Sequence, residues 1–161
     1  MKACFTGHRK LGFECTSGIE LLVKEAQNQG VDEFLIGMAV GIDQVVATYL
    51  SRQELRWHAI IPCANQDSRW SAHQKFRYRK LLERAESQTI LYLNYVPGCF
   101  HARNKYMVNS SSMCLAVWNG TQAGGTWETI KMAIAANKMI IQWNPITTEI
   151  IYLNSQQLSI F

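Results

Sequence analysis

The sequence predicts an α/β fold: a Rossmann-like three-layer sandwich, with helices on both faces of a mostly parallel, doubly wound sheet. Three observations predict it. Short apolar runs with little polar alternation recur along the chain, as strands buried on both faces require. Longer stretches with helical period separate them, so strand and helix alternate. Glycine-containing loops follow several of the apolar runs. Right-handed crossovers then wind the sheet in both directions and bring those loops to its carboxyl edge, where such sheets bind ligands.

The elements follow in order. Ala3 to Phe5 is a first strand. Ile19 to Gln27 is helical, because Ile19, Leu22, Val23 and Ala26 share one face, and Gly30 stops it. Glu33 to Ile36 is a second strand and Gln44 to Arg52 a second helix. His58 to Ile61 is a third strand, expected to end at Pro62. Ser71 to Ser87 reads as a long charged helix and Thr89 to Leu93 as a fourth strand. A helix over Phe100 to Ser110, a strand over Met113 to Trp118, a helix over Thr126 to Asn137 and a strand over Met139 to Trp143 complete the pattern. Within the segment from Asn144 to Phe161, Glu149 to Leu153 reads either as a short edge strand or as a contact with another chain.

Residues 1–161 are expected to form a single domain, since no repeat or linker divides them. Hydrophobic residues at 48% and charged residues at 17% exclude a disordered chain. The apolar runs fall far short of the roughly 20 residues that a membrane span needs, so no membrane partner is expected. The first residues turn polar too soon for a secretory leader, and a cytoplasmic location is expected. The five cysteines form no Cys-x-x-Cys pair; Cys4 and Cys114 read as small core residues, and neither a metal nor a cofactor is expected. A net charge of +4 favours anionic ligands.

Three loops and one helix carry the candidate chemistry. Thr6-Gly7-His8-Arg9 follows the first strand: Gly7 permits a tight turn, Thr6 offers a hydroxyl, and Arg9 offers a fork for phosphate or carboxylate. Gly37-Met38-Ala39-Val40-Gly41-Ile42-Asp43 follows the second strand and opens a helix, as anion-binding loops do. It lacks the Gly-x-Gly-x-x-Gly dinucleotide spacing. Asp43 either caps that helix or accepts a ribose hydroxyl. After the fifth strand, Asn119 precedes Gly124-Gly125-Thr126, whose amides and hydroxyl suit a phosphate at a helix start, with Glu128 in the first turn. Arg103, on the helix before that strand, is the cation to accompany Glu128.

Together these segments resemble the SLOG superfamily of Rossmann-like nucleotide-binding proteins. The first two loops look most like its YpsA and DprA-like branch. His101-Ala102-Arg103-Asn104 and Gly124-Gly125-Thr126-Trp127-Glu128 look like the signature of the LOG phosphoribohydrolases, without the family's proline before the glycines and with Asn104 in place of a basic residue. The resemblance implies a nucleotide ligand, a homodimer, and a catalytic pair at Glu128 and Arg103. That pair would cleave the N-glycosidic bond of a nucleoside 5′-monophosphate, giving free base and ribose 5-phosphate. A carboxylate beside the anomeric carbon suits the oxocarbenium character of such a step. Thr6, Gly7, His8, Arg9, Gly37, Gly41, Asp43, Asn119, Gly124, Gly125 and Thr126 would bind the nucleotide. Trp70 and Trp127 are candidate walls for the base.

A competing signal lies in the charged helix. Arg69, Lys75, Arg77, Arg79, Lys80 and Arg84 are interleaved with Trp70, Phe76 and Tyr78. Cations with aromatics suit single-stranded nucleic acid, whereas the plainer reading is a solvated face with its aromatics turned inward. Three functions therefore stand: a nucleotide N-glycosidase, a non-catalytic sensor of a nucleotide or ADP-ribose-like ligand, and a DprA-like single-stranded DNA-binding module. Nucleic acid is the weaker of the partner readings.

Overall fold

A computed structural model describes residues 1–153. The strands are β1 (Lys2–Gly7), β2 (Glu33–Ile36), β3 (Arg56–Cys63), β4 (Ser87–Tyr92), β5 (Met113–Val117), β6 (Met139–Trp143) and β7 (Ile150–Leu153). The helices are α1 (Thr16–Asn28), α2 (Ile42–Arg52), α3 (Ala72–Leu82), α4 (Cys99–Asn109) and α5 (Gly124–Ala135), with a short 3-10 turn over Phe13–Cys15 before α1. The seven strands form one sheet in the order β4-β3-β2-β1-β5-β6-β7. Every neighbour pair is parallel except β6 with β7.

Strand alternation divides the core in two. Phe5, Phe34, Ile36, Trp57, Leu115 and Ile141 face one side and pack with Ile19, Leu22, Ile42, Val46 and Leu50 of α1 and α2. Cys4, Leu35, Ile60, Cys114, Ala116 and Ile140 face the other and meet Met107 and Val108 of α4 and Ile130 and Ala133 of α5. Helices on both faces explain why the central strands read as unbroken apolar runs. All five cysteines are buried thiols. Among the described residues no helix is long and apolar enough to cross a membrane.

The order of the sheet fixes where a ligand can enter. The chain moves from β1 outward through β2, β3 and β4, then returns to β5 on the opposite side of β1. The loops leaving β1 and β5 therefore diverge, opening a crevice at their carboxyl ends.

Among the predicted boundaries that shift, two have a clear local reason. β3 runs through Pro62 to Cys63. Its last pair with β2 is Ile36 with Ala59, so Pro62 lies beyond that ladder and removes no bond from it. α3 ends at Leu82 rather than Ser87. Arg84 Nη2 donates to the Ser51 carbonyl at 3.1 Å and Glu86 N to the Trp57 carbonyl at 2.9 Å, which turns the chain into β4. Of the two readings of residues 149–153, the edge strand is realised: β7 runs antiparallel to β6, with Gln142 opposite Ile151. The part of that segment after residue 153 lies outside the described residues.

Candidate functional site

A cavity of about 580 Å³ opens at the divergence of β1 and β5. Thr6, Gly7, His8 and Arg9 enter it from the end of β1, and Asn119, Gly124, Gly125 and Thr126 from the end of β5. Asp43 of α2 and Arg103 of α4 also line it, whereas Gly37 and Gly41 of the expected nucleotide-binding set do not. The remaining wall includes Phe100, Asn104, Met107, Pro145 and Ile146. Phe100, Arg103, Asn104 and Met107 are spaced i, i+3, i+4, i+7, so one face of α4 lines the cavity. That spacing was readable in the sequence for Phe100 and Met107. Pro145 and Ile146 carried no such signal, because they reach the site only through the turn between β6 and β7.

Arg103 is the buried cation of the site, only 4% exposed. Its Nη1 donates to the Gly37 carbonyl and its Nε to Asn104 Oδ1, the latter at 2.7 Å. A Cβ at Gly37 would overlap the guanidinium, so Gly37 is the space into which Arg103 fits. Burial pulls the Arg103 pKa down, and the Asp43 carboxylate works against that shift. Asp43 is itself buried, and burial pushes its carboxyl up; Arg103, the Ala39 amide and Arg9 oppose the shift. The N-cap of α2 is Gly41, not Asp43. Asp43 Oδ2 instead accepts from Ala39 N at 3.0 Å, folding the 39–43 loop back on itself.

Gly41 has φ of +96°, and a Cβ there would strike the Arg9 backbone. Gly37 and Gly41 do not line the cavity; each leaves room for a lining residue, Gly37 for the Arg103 guanidinium and Gly41 for the Arg9 backbone. Gly7 lines the cavity and also lets Ile42 of α2 pack against β1. Gly124 and Gly125 differ: a Cβ on either would meet no atom within 4 Å. Their amides begin α5 beside open space, where the positive end of the helix dipole favours an anion. His8 Nε2 lies 3.1 Å from Asn119 Oδ1, tying the two diverging loops together. The Arg9 guanidinium lies 5.3 Å from the centroid of the Phe100 ring.

Glu128, Trp70 and Trp127 stand apart from this cavity's lining. Glu128 is half exposed and pairs with Lys131 at 2.8 Å. Trp127 stacks on Trp118 with ring centroids 5.5 Å apart, and Trp70 packs edge-on against Tyr78 at 5.1 Å. On the charged helix, Tyr78 is buried while Phe76 is 64% exposed. Of the three aromatics interleaved with its cations, only Phe76 therefore presents a largely free ring. Among the described residues no group of three His, Cys, Asp or Glu side chains is placed to hold a metal.

The sequence model of the YspA SLOG family matches residues 16–149. The chain belongs to the YspA SLOG family. Solved structures share its fold at low identity. DNA processing protein A (DprA) from Streptococcus pneumoniae superposes with a TM-score of 0.65 at 16% identity, over 88% of this chain and 49% of that one. DprA from Helicobacter pylori, described for its single-stranded DNA binding mode, gives 0.64 at 17% identity, over 88% of this chain and 64% of that one. TM1055, a structural-genomics target, gives 0.57 at 14% identity, over 86% and 71%. This YspA SLOG chain thus spans from about half to under two-thirds of the two DprA chains. No curated protein matches it. The family match and these neighbours bear out the predicted superfamily and the predicted doubly wound α/β sheet.

Proposed function

We propose that this protein binds a nucleoside 5′-monophosphate, or a ligand built on one, in the cavity between β1 and β5. One observation carries the reading: the first residues of α5, Gly124 and Gly125, whose Cβ positions face open space, share a cavity with Arg9, Asn119, Asp43 and Arg103. A phosphate seated at the start of α5 accepts from free N–H groups and meets the Arg9 guanidinium. Asn119 and Asp43 offer acceptors for ribose hydroxyls. Phe100, Met107 and Ile146 supply apolar surface for a base. A volume of about 580 Å³ suits a ligand of that size. Titration calorimetry with a panel of nucleoside monophosphates tests the reading, with saturable binding expected and its absence across the panel contradicting it.

Hydrolysis of the N-glycosidic bond is the second reading: the Asp43 carboxylate lines the cavity, and Glu128 lies on α5 three residues beyond Gly125. Glu128 would support the oxocarbenium-like sugar, and Arg103 would hold the ligand in place. Glu128 is turned to Lys131 and Asp43 is largely desolvated, so binding ranks ahead of hydrolysis. Release of free base, lost in Glu128→Ala, supports the enzyme; tight binding without release supports a sensor. The DNA-binding reading requires oligonucleotide affinity that falls steeply with salt.

A homodimer is also proposed. β4 is an edge strand, and Ile90, Tyr92, Leu93 and Tyr95 on it and just beyond it are largely exposed. Sedimentation equilibrium tests the pairing, and a single monomeric species at tens of micromolar would exclude it.

A further inference from the structure

A second cavity, of about 320 Å³, lies on the other side of the loop that follows β1. Arg9, Lys10 and Leu11 stand in the walls of both cavities. Its far wall is made by Gln44 of α2 and by His73, Gln74 and Arg77 of α3. Two of these side chains carry a nitrogen with no partner among the described residues. Gln44 is 4% exposed, and its Nε2 is buried without a hydrogen bond among the described residues. The same holds for Nη2 of Arg77, whose guanidinium lies 4.6 Å from the centroid of the Phe13 ring. Buried donors without partners are rare in folded proteins and call for an acceptor.

We propose that this cavity is a second phosphate-binding subsite, which takes a further phosphate ester of the ligand whose first phosphate sits at Gly124 and Gly125. The donors present are those that phosphate recognition uses: guanidinium, ammonium and a side-chain amide. The amino ends of two helices also reach this wall, α2 through Gly41 and Gln44 and α3 through His73 and Gln74. The one carboxylate in the wall, Glu14, already accepts from Gly12 N at 2.8 Å. Burial alone pulls the Arg77 pKa down, and no carboxylate offsets it. A phosphate dianion in this cavity would supply the missing counter-charge beside Arg9, Lys10 and Arg77 and an acceptor next to the Gln44 amide. The subsite itself stands on these side chains, while the claim that one ligand spans both cavities rests on the nucleotide reading.

Inorganic phosphate titrated into ¹⁵N-labelled protein tests the subsite. Saturable shifts of the Gln44 side-chain amide, lost in Arg77→Gln and kept in Arg77→Lys, are the expected result. Response at Gly124 and Gly125 with none at Gln44 would overturn the subsite and leave the nucleotide reading standing. Response at Gln44 with none at the glycines would do the reverse, and silence at both would overturn both. A 5′-phosphorylated dinucleotide should then bind about 10-fold tighter than a nucleoside monophosphate, an advantage of about 1.4 kcal/mol that Arg77→Gln removes. Equal affinities would overturn the claim that one ligand spans the two cavities.

Discussion

Replacing Gly125 with alanine should separate folding from binding. Gly125 lies in the first turn of α5 without positive φ, and an added Cβ would meet no atom within 4 Å. The fold therefore loses no contact, and the unfolded chain loses freedom, so alanine should stabilise by about 0.4–1 kcal/mol. At about 2–4 °C per kcal/mol for a domain of this size, Tm should rise by about 1–4 °C. Binding should move the other way. The new methyl occupies space that the proposed phosphate needs, and a hydrogen bond to a charged group contributes about 1.5–3 kcal/mol. Losing one such bond weakens affinity by roughly 10- to 150-fold. Scanning calorimetry reads the first effect, and calorimetric titration with the tightest-binding nucleoside monophosphate reads the second. Gly124→Ala is the control: its φ of +80° makes alanine strained by about 1–2 kcal/mol, so Tm should fall despite the same open space. A Gly125→Ala protein that binds as tightly as the parent, or melts lower, would refute the reasoning.

Other substitutions probe the wall behind the cavity. Gly37→Ala should cost about 1–3 kcal/mol in urea denaturation, because the methyl displaces a buried guanidinium. An unchanged midpoint would mean that Arg103 does not need that space. Asp43 has a folded-state pKa raised above 3.8 by burial. Its contribution to stability is therefore fully present below the unfolded value and is lost as pH rises through the folded value. Asp43→Asn should gain on the parent in unfolding free energy as pH rises through that window, and a difference that is flat or falls with pH would contradict the burial argument. Glu128→Ala should change stability by less than about 0.5 kcal/mol, since its pair with Lys131 is half exposed. A larger loss would point to a structural role.

The parallel strands were legible because burial on both faces leaves an uninterrupted apolar run, as in Met113–Val117. β4 begins two residues before the expected Thr89, a start hidden in the sequence because four of its six residues are exposed and its first two, Ser87 and Gln88, are polar. β7 gave no clear period, and pairing with β6 decides it. For the cavity, loop position at strand ends located most of the lining, because topology brings those ends together whatever the loops contain. The character of individual residues was harder to read. Arg103 looks like part of a solvated helix face, and its buried partners, the Gly37 carbonyl 66 residues away in sequence and the Asp43 carboxylate, become visible only in the fold. Gly37 and Gly125 look alike in sequence, yet one accommodates a side chain from within the fold and the other stands open. Trp70 and Trp127 were equally ambiguous, since an aromatic beside a loop can face a ligand or a neighbour, and here each packs on a neighbouring ring.

A crystal structure with a bound nucleoside 5′-monophosphate tests the central claim most directly. The phosphate should lie within hydrogen-bond distance of the Gly124 and Gly125 amides, with the sugar between Asn119 and Asp43. A nucleotide seated instead along the exposed cations of α3, with the crevice between β1 and β5 empty, would contradict it.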